Sequence, residues 1–175
     1  MKKLKLAADK DIRSLTAGEW IELDGELIVM RDAAHKRLFS SSDPASELPI
    51  SLKEKIIFYA GPTSGFVNGK GVIGPTTSAR MDRYVEPMLK LGVKGFLGKG
   101  PRGKQLNRLM ADNKAVYFVT AGGAAALLSK YVKEVKVLAY EDLGPEAVLS
   151  VCVEGFPAMV ATDSQGRSIF EISSS

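Results

Sequence analysis

The middle of the chain alternates short apolar runs with segments of helical periodicity, and this alternation limits the fold more than any other feature. The apolar runs IIFYAGP (56–62), VKGFL (93–97) and AVYFVTA (115–121) have the length and composition of buried strands. Apolar residues at helical spacing predict helices that begin at Thr76 and span 104–113. Strands that alternate with helices favour parallel pairing, and we therefore predict an α/β fold.

The two ends of the chain carry strand-like patterns instead. We predict strands at 2–8 and 19–30, and Asp24-Gly25 within the second predicts a hairpin turn. The C-terminal part has further alternating runs, including RSIFEI (167–172). With 175 residues, of which 45% are hydrophobic, the chain can bury one sizeable core. We expect a single domain over 1–175, with a mixed sheet and flanking helices.

Composition excludes several classes of protein. The sequence lacks an apolar run of about 18 residues and an apolar signal-peptide segment, so we expect a cytoplasmic protein without a membrane helix. The net charge is only +4 and the basic residues are dispersed, which argues against nucleic-acid binding. One cysteine, Cys152, and one histidine, His35, cannot supply the ligands of a closed zinc or iron–sulfur site.

A glycine-rich turn in LGKGPRGKQ (97–105) matches two nucleotide-binding fingerprints in part, G-x-G-x-x-G and G-x-x-x-x-G-K. Gln105 follows where a P-loop requires Ser or Thr, and Ala124 and its neighbours stand where a dinucleotide site has an acidic residue. A nucleotide- or phosphate-binding module that uses 98–104 is the alternative function. The simpler alternative is a cationic turn that contains Lys99, Arg102 and Lys104.

The stretch GPTTSARMDR (74–83) places three hydroxyl side chains and then Arg80 at a predicted helix start. The free N–H groups and the dipole of a helix N-terminus attract anions, whereas a cation there is unfavourable unless an anion compensates it. The segment therefore favours an anion-binding site. The simpler alternative is helix capping by the hydroxyls, with Arg80 paired to Asp82 or to a distant acid.

A second candidate segment is MRDAAHKR (30–37), where a predicted strand leads into Arg31, Asp32 and a helix that carries His35. Arg31 at the end of a strand can reach a cleft, and Asp32 can orient Arg31 or His35. Two arginines can each bind a carboxylate in bidentate fashion, so Arg31 together with Arg80 favours a dicarboxylic acid as ligand. A solvated helix residue is the alternative for His35.

Five motifs, in order along the chain, resemble the beta subunit, or C-terminal region, of class I fumarases and L-tartrate dehydratases: RDAAH, GPTTSARMD, LGKG, GGAAAL and LGPEAVLSVCVEGFPAMVATDSQG. The resemblance extends from about residue 15 to 170. It implies a swivelling β/β/α domain in a hydro-lyase that reversibly adds water to a dicarboxylic acid, either fumarate or tartrate. It also implies a 4Fe–4S cluster held by a separate, cysteine-bearing alpha subunit. We therefore expect a hetero-oligomer that is active only with that subunit. The isolated chain can instead form a homodimer.

The resemblance also implies roles for individual residues. Those expected to bind substrate carboxylates are Arg31 and Arg80. Thr76 matches the threonine expected to take a proton from the carbon beside a carboxylate. Two further residues are expected to line the pocket, Thr77 and Lys99, and two to lie beside it, Asp32 and His35. A threonine can act as a base only if Arg80, Lys99 and the helix N-terminus stabilise its alkoxide form, so Arg80 is expected to be catalytic together with Thr76.

Overall fold

Within residues 1–7, 12–62, 72–120 and 125–172, which the computed structural model describes, the chain forms nine β-strands and six α-helices. The strands are β1 (Lys2–Lys5), β2 (Trp20–Val29), β3 (Ile56–Phe58), β4 (Ala60–Pro62), β5 (Ile73–Pro75), β6 (Gly95–Gly98), β7 (Val116–Val119), β8 (Val132–Ala139) and β9 (Val148–Thr162). The helices are α1 (Asp32–Leu38), α2 (Pro44–Glu47), α3 (Asp82–Lys90), α4 (Lys104–Asn113), α5 (Ala125–Leu128) and α6 (Ile169–Ile172). None of the described helices is both long and apolar enough to cross a membrane.

Seven of these strands form one mixed sheet that closes on itself. The order is β1-β2-β3-β6-β7-β9-β8, and β2 also pairs with β9. The neighbours from β1 to β7 are parallel, whereas β9 is antiparallel to β2, β7 and β8. The pairing of β2 with β9 therefore closes β2, β3, β6, β7 and β9 into a ring, and β8 is added through β9.

The apolar side chains divide into two clusters, because alternate residues of a strand point to opposite faces. Ile56 and Phe58 lie in a core formed largely by residues of the seven-stranded sheet. Their neighbours Ile57 and Tyr59 lie in a second core, which includes the buried faces of α1, α3 and α4. The helices thus pack on one face of the sheet, which confirms the predicted α/β fold with a mixed sheet and flanking helices.

Two predictions for the chain ends are wrong. Asp24-Gly25 is not a hairpin, because β2 continues through it, and Gly25, with a φ of +125°, lies at a register shift in the pairing with β9. Strands on both sides of β2 keep it extended, and the extra residue is accommodated as a bulge. RSIFEI does not form a strand but contains α6, since Ile169 and Phe170 pack on the helical core instead.

The carboxyl ends of β2, β3 and β6 lie at one edge of the parallel sheet. Arg31 follows β2, and Lys99 follows β6. The antiparallel pair β4–β5 starts just after β3 and ends one residue before Thr76. Three of the segments that carry the candidate residues are thus brought to the edge where α/β folds commonly bind their ligands.

Candidate functional site

Arg31 lies against the backbone of Gly61 in β4. A Cβ atom on Gly61 would be 2.7 Å from Arg31 Nη1 and 2.9 Å from its Cδ, so the side chain rests directly on the glycine. Its Nε is buried and has no hydrogen-bond partner among the described residues. The guanidinium is therefore held in place with hydrogen-bonding capacity still available.

Arg80 reaches the residue next to Arg31 from the 3₁₀ turn Ser78–Met81, which precedes α3. Its Nη2 donates to Asp32 Oδ2 over 3.1 Å and to Thr76 Oγ1 over 3.0 Å. The two charged side chains are 50% and 37% exposed, so the ion pair stabilises the fold by at most about 1 kcal/mol. Its importance is geometric, because Arg80 joins Asp32 and Thr76, and Arg31 is the chain neighbour of Asp32.

The hydroxyl residues of the 74–83 segment do not cap a helix. Neither the 3₁₀ turn nor α3 has a side-chain hydrogen bond at its N-cap, so the capping alternative is wrong. Thr76 accepts from Arg80, and Ser78 Oγ accepts from the Lys99 N–H over 3.1 Å. The other part of that alternative, in which Arg80 pairs with a distant acid, is confirmed, because Arg80 forms an ion pair with Asp32.

Lys99 is held beside the threonines by backbone pairing. Thr77 and Lys99 form an isolated parallel bridge, and the Ser78 N–H donates to the Lys99 carbonyl over 3.2 Å. Thr77 is exposed, whereas Thr76 and Lys99 are half-buried. The structure thus places Thr76, Thr77 and Lys99 on adjoining segments, and none of the three is fully buried.

His35 is fully buried, so the interpretation as a solvated helix residue is wrong. Its Nδ1 lies 2.7 Å from the Arg31 carbonyl, which can only accept, so Nδ1 carries the proton. The ring stacks on Tyr84 with 5.1 Å between centroids. Burial lowers the pKa of His35 to about 4, and the side chain is therefore neutral at pH 7. It supports the backbone of Arg31 and adds no charge to the site.

This buried histidine predicts a loss of stability at mildly acidic pH. The pKa is about 4 in the folded state and about 6.5 in the unfolded state, so the unfolded state binds more protons between these values. The contribution of His35 is complete above pH 6.5 and falls by roughly 3 kcal/mol as the pH decreases to 4. Urea unfolding at intervals between pH 7 and pH 4.5 measures this change in the free energy of unfolding.

His35→Phe is the matched variant for this experiment. Phenylalanine can stack on Tyr84 but does not titrate, and His35 is the one histidine of the chain. We expect the variant to be less stable at pH 7, because it loses the hydrogen bond to Arg31, and to show a much flatter pH dependence. Parallel curves for the two proteins would contradict the assignment.

The glycine-rich turn at 98–103 is closed by a carboxylate of the protein itself. Asp82 accepts from Arg102 Nε over 2.6 Å and from the Gly103 N–H over 3.1 Å. One N–H group at the start of α4, that of Gly103, is therefore already occupied by a carboxylate of the protein. The Arg102 side chain is 2% exposed, so the predicted cationic turn lacks this residue at its surface.

Comparison with known proteins identifies the family. Residues 1–173 match the family described as Fumarase C-terminus. The chain belongs to this family. It is 41% identical over 169 residues to a protein of Methanocaldococcus jannaschii provisionally named L(+)-tartrate dehydratase subunit beta, an alignment that covers 93% of this chain and 87% of the relative.

Two further relatives of this Fumarase C-terminus chain are longer proteins. Identity is 37% over 175 residues with fumarate hydratase 2 of Leishmania major and 36% over 156 residues with the anaerobic class I fumarate hydratase of Escherichia coli (strain K12). These alignments cover 95% and 86% of this chain but only 30% and 28% of the relatives. The chain thus spans less than a third of those fumarate hydratases, and the resemblance stated from the motifs is confirmed.

The class I family is iron–sulfur dependent, and the residues of this Fumarase C-terminus chain do not fit a cluster. A cluster requires three or four thiolates, whereas Cys152 is the one cysteine of the chain and lies exposed on β9, opposite Glu26 of β2. Among the described residues, no group of three His, Cys, Asp or Glu side chains could hold a metal ion. We derive no chemical step through a cluster from this chain.

Sequence reasoning missed two residues that shape the site, Gly61 and Tyr117. In the sequence, Gly61 belongs to the end of the predicted strand 56–62. Nothing near it in the sequence indicates that the Arg31 side chain packs on its backbone. A weak signal existed for Tyr117, since a tyrosine in an apolar strand needs a partner for its hydroxyl. That hydroxyl lies 2.9 Å from Ser78 Oγ and 2.8 Å from the Gly100 carbonyl.

Proposed function

We propose that this chain is the beta subunit of a two-chain, iron–sulfur-dependent hydro-lyase that reversibly adds water to a dicarboxylic acid. The observation that carries the proposal is the cluster of Asp32, Thr76 and Arg80 at one edge of the sheet, with the Arg31 side chain on Gly61 of the adjoining β4–β5 pair. The relatives named tartrate dehydratase and fumarate hydratase support the reaction class. In this proposal a cysteine-bearing alpha subunit holds the 4Fe–4S cluster, and the two chains form the active hetero-oligomer.

Arg31 and Arg80 are the proposed carboxylate-binding residues. Arg31 is supported by Gly61, and Arg80 contacts Asp32 and Thr76 through Nη2, with no described partner for its Nη1. Each guanidinium can therefore present further donors to a carboxylate in the planar geometry that arginine favours. A charged hydrogen bond of this kind contributes roughly 1.5–3 kcal/mol.

Thr76 is the proposed base that takes a proton from the carbon beside a substrate carboxylate. A hydroxyl is a poor base in water, because its ionised form is strongly disfavoured. Arg80 donates a charged hydrogen bond to Thr76 Oγ1 over 3.0 Å, which favours the alkoxide. The positive charge of Lys99 on the adjoining segment acts in the same direction, and Thr77 completes this side of the pocket.

The alternative, a nucleotide- or phosphate-binding module, is not favoured. In the turn at 98–104 the Asp82 carboxylate accepts from the Gly103 N–H, and its negative charge would repel a phosphate. The relatives reported above carry hydro-lyase names instead.

Reconstitution of the two-chain enzyme tests the function. This chain alone, an alpha subunit alone and the mixture with a rebuilt cluster are assayed in parallel with fumarate, malate and tartrate. We expect turnover only in the mixture, and the substrate that reacts assigns the acid. Hydration of fumarate by the purified single chain, or an inert mixture with an intact cluster, would refute the proposal.

Gly61→Ala is expected to weaken substrate binding without unfolding the chain. The new Cβ would lie 2.7 Å from Arg31 Nη1, and the flexible arginine end is the part that can move away. We expect KM to rise roughly tenfold, equivalent to about 1.4 kcal/mol, with a smaller change in kcat. The double variant with Arg31→Ala is the control: Gly61→Ala should add nothing once Arg31 is truncated, and an additive loss would contradict the mechanism.

A further inference from the structure

The buried guanidinium of Arg102 adjoins the proposed site and has no part in the function described so far. Its Cζ lies 4.9 Å from the ring centroid of Tyr59, 5.0 Å from that of Tyr117 and 5.8 Å from that of Phe96. Its Nε forms the 2.6 Å ion pair with Asp82, and its Nη2 donates to the Tyr59 hydroxyl over 3.3 Å. The charge is therefore enclosed by three aromatic rings and one carboxylate.

Stability alone does not explain a charge in this position. Burial of a guanidinium carries a desolvation penalty, and apolar residues of similar volume often replace buried ion pairs without loss of stability. The Nη1 of Arg102 is also buried without a partner among the described residues, which adds to the penalty. A positional role is the alternative, and it depends on what the ion pair connects.

Arg102 connects two segments: the loop 99–103, which carries Lys99, and the turn Ser78–Met81, which carries Arg80. Asp82 is the first residue of α3 and lies two positions after Arg80. Its carboxylate accepts from Arg102 Nε and, over 3.1 Å, from the Gly103 N–H. The far end of the loop is thus bound to the start of α3 through one carboxylate.

The near end of the same loop is held by Ser78 and Tyr117. Ser78 Oγ accepts from the Lys99 N–H over 3.1 Å, and Tyr117 Oη lies 2.8 Å from the Gly100 carbonyl. Because a carbonyl only accepts, Tyr117 donates to Gly100 and its oxygen receives the Ser78 proton. Gly98 permits this approach, since a Cβ there would overlap Ser78 Oγ. Ser78 thus binds the loop just before Arg80, and Asp82 binds it just after, so Arg80 lies between two attachments to the same loop.

We propose that Arg102 is a positioning residue that, through Asp82, sets the orientation of the turn that carries Arg80 relative to Lys99 and thereby the affinity for one substrate carboxylate. The inference rests on the proposed function. Arg102 does not itself contact substrate, because its side chain is enclosed, and its effect passes through the backbone of the two segments that it connects.

Arg102→Met in the reconstituted two-chain enzyme is the first test. Methionine fills similar space and packs well on aromatic rings, but it cannot bind Asp82. We expect at least a roughly thirtyfold rise in both KM and the inhibition constant of succinate, with a smaller change in kcat and a melting temperature within about 5 °C of wild type. Arg108→Met makes the same exchange on α4 at an 87% exposed side chain and should change neither constant.

A double-mutant cycle with Asp82→Asn separates positioning from a general structural effect. If Arg102 acts through Asp82, the affinity of the double variant for succinate is no lower than that of the single variant with the lower affinity. Additive losses, or an unchanged inhibition constant in Arg102→Met, overturn the inference. If Arg102→Met fails to fold, Arg102→Lys is the second variant. Lysine retains the charge but replaces the planar guanidinium with a single ammonium group, and we expect the same loss of affinity.

Amide hydrogen exchange of the full chain tests the same coupling without any activity. Arg102→Met should accelerate exchange both in the loop 99–103 and in the turn 78–82, and Arg108→Met should accelerate neither. Unchanged exchange in these segments overturns the positioning role. An inactive wild-type mixture with accelerated exchange in Arg102→Met would instead count against the proposed function alone.

Discussion

Arg80→Ala is expected to lower kcat/KM of the two-chain enzyme by roughly a thousandfold while the chain stays folded. In the proposed site the variant would remove two charged hydrogen bonds to a substrate carboxylate, together about 4 kcal/mol, and each 1.4 kcal/mol corresponds to a factor of ten. Folding should be little affected, because the side chain is 50% exposed and its ion pair with Asp32 contributes at most about 1 kcal/mol. Steady-state kinetics and thermal unfolding measure the two effects.

Arg83→Ala is the matched control for this variant. Arg83 is an exposed arginine of α3 whose guanidinium lies 4.7 Å from the Tyr84 ring centroid, and it has no proposed role in the reaction. We expect its kinetics to stay close to wild type. Arg80→Lys should recover only part of the affinity, since lysine retains charge but not the bidentate geometry. Full activity in Arg80→Ala would place the carboxylate site elsewhere.

Thr76→Val is expected to lower kcat by a thousandfold or more with little change in KM. Valine keeps the branched shape of threonine but removes the hydroxyl, which lies 3.0 Å from Arg80 Nη2. The two arginines proposed to bind the substrate carboxylates remain, so the variant should still bind substrate and fail in proton removal. Exchange of the substrate C–H with deuterated solvent measures that step directly, and we expect it to be lost together with turnover.

The neighbouring threonine provides the comparison for this experiment. Thr77→Val makes the same change at an exposed residue that is proposed only to line the pocket, and we expect it to raise KM by no more than about tenfold. Wild-type rates of solvent exchange in Thr76→Val would assign the base to another residue.

Local patterns located most elements in the middle of the chain. The helix predicted at 104–113 is α4, with the same bounds, and the predicted strand 115–121 contains β7. These predictions hold because the spacing of apolar residues depends only on the segment itself and on the face that it buries. The motifs and their order were equally informative, since residue type and order are sufficient to identify the family.

Local patterns failed where a segment distant in sequence decides the outcome. Asp24-Gly25 has the composition of a hairpin turn, yet β2 stays extended because β9 pairs with it on both sides of the bulge. His35 lies in a helix with exposed polar neighbours, yet Tyr84 of α3 covers its ring. In both cases the contact that decides the structure lies outside the window that a local pattern describes.

The candidate site divides in the same way. The sequence by itself determined the family and the side chains that belong to its motifs, because both depend on residue type and order. Only the tertiary structure decided which acid meets which arginine: Asp32 pairs with Arg80 across 48 positions, and Asp82 pairs with Arg102 across 20. The physical reason is that the parallel strands end at one edge and bring together segments whose charges carry no information about their partners.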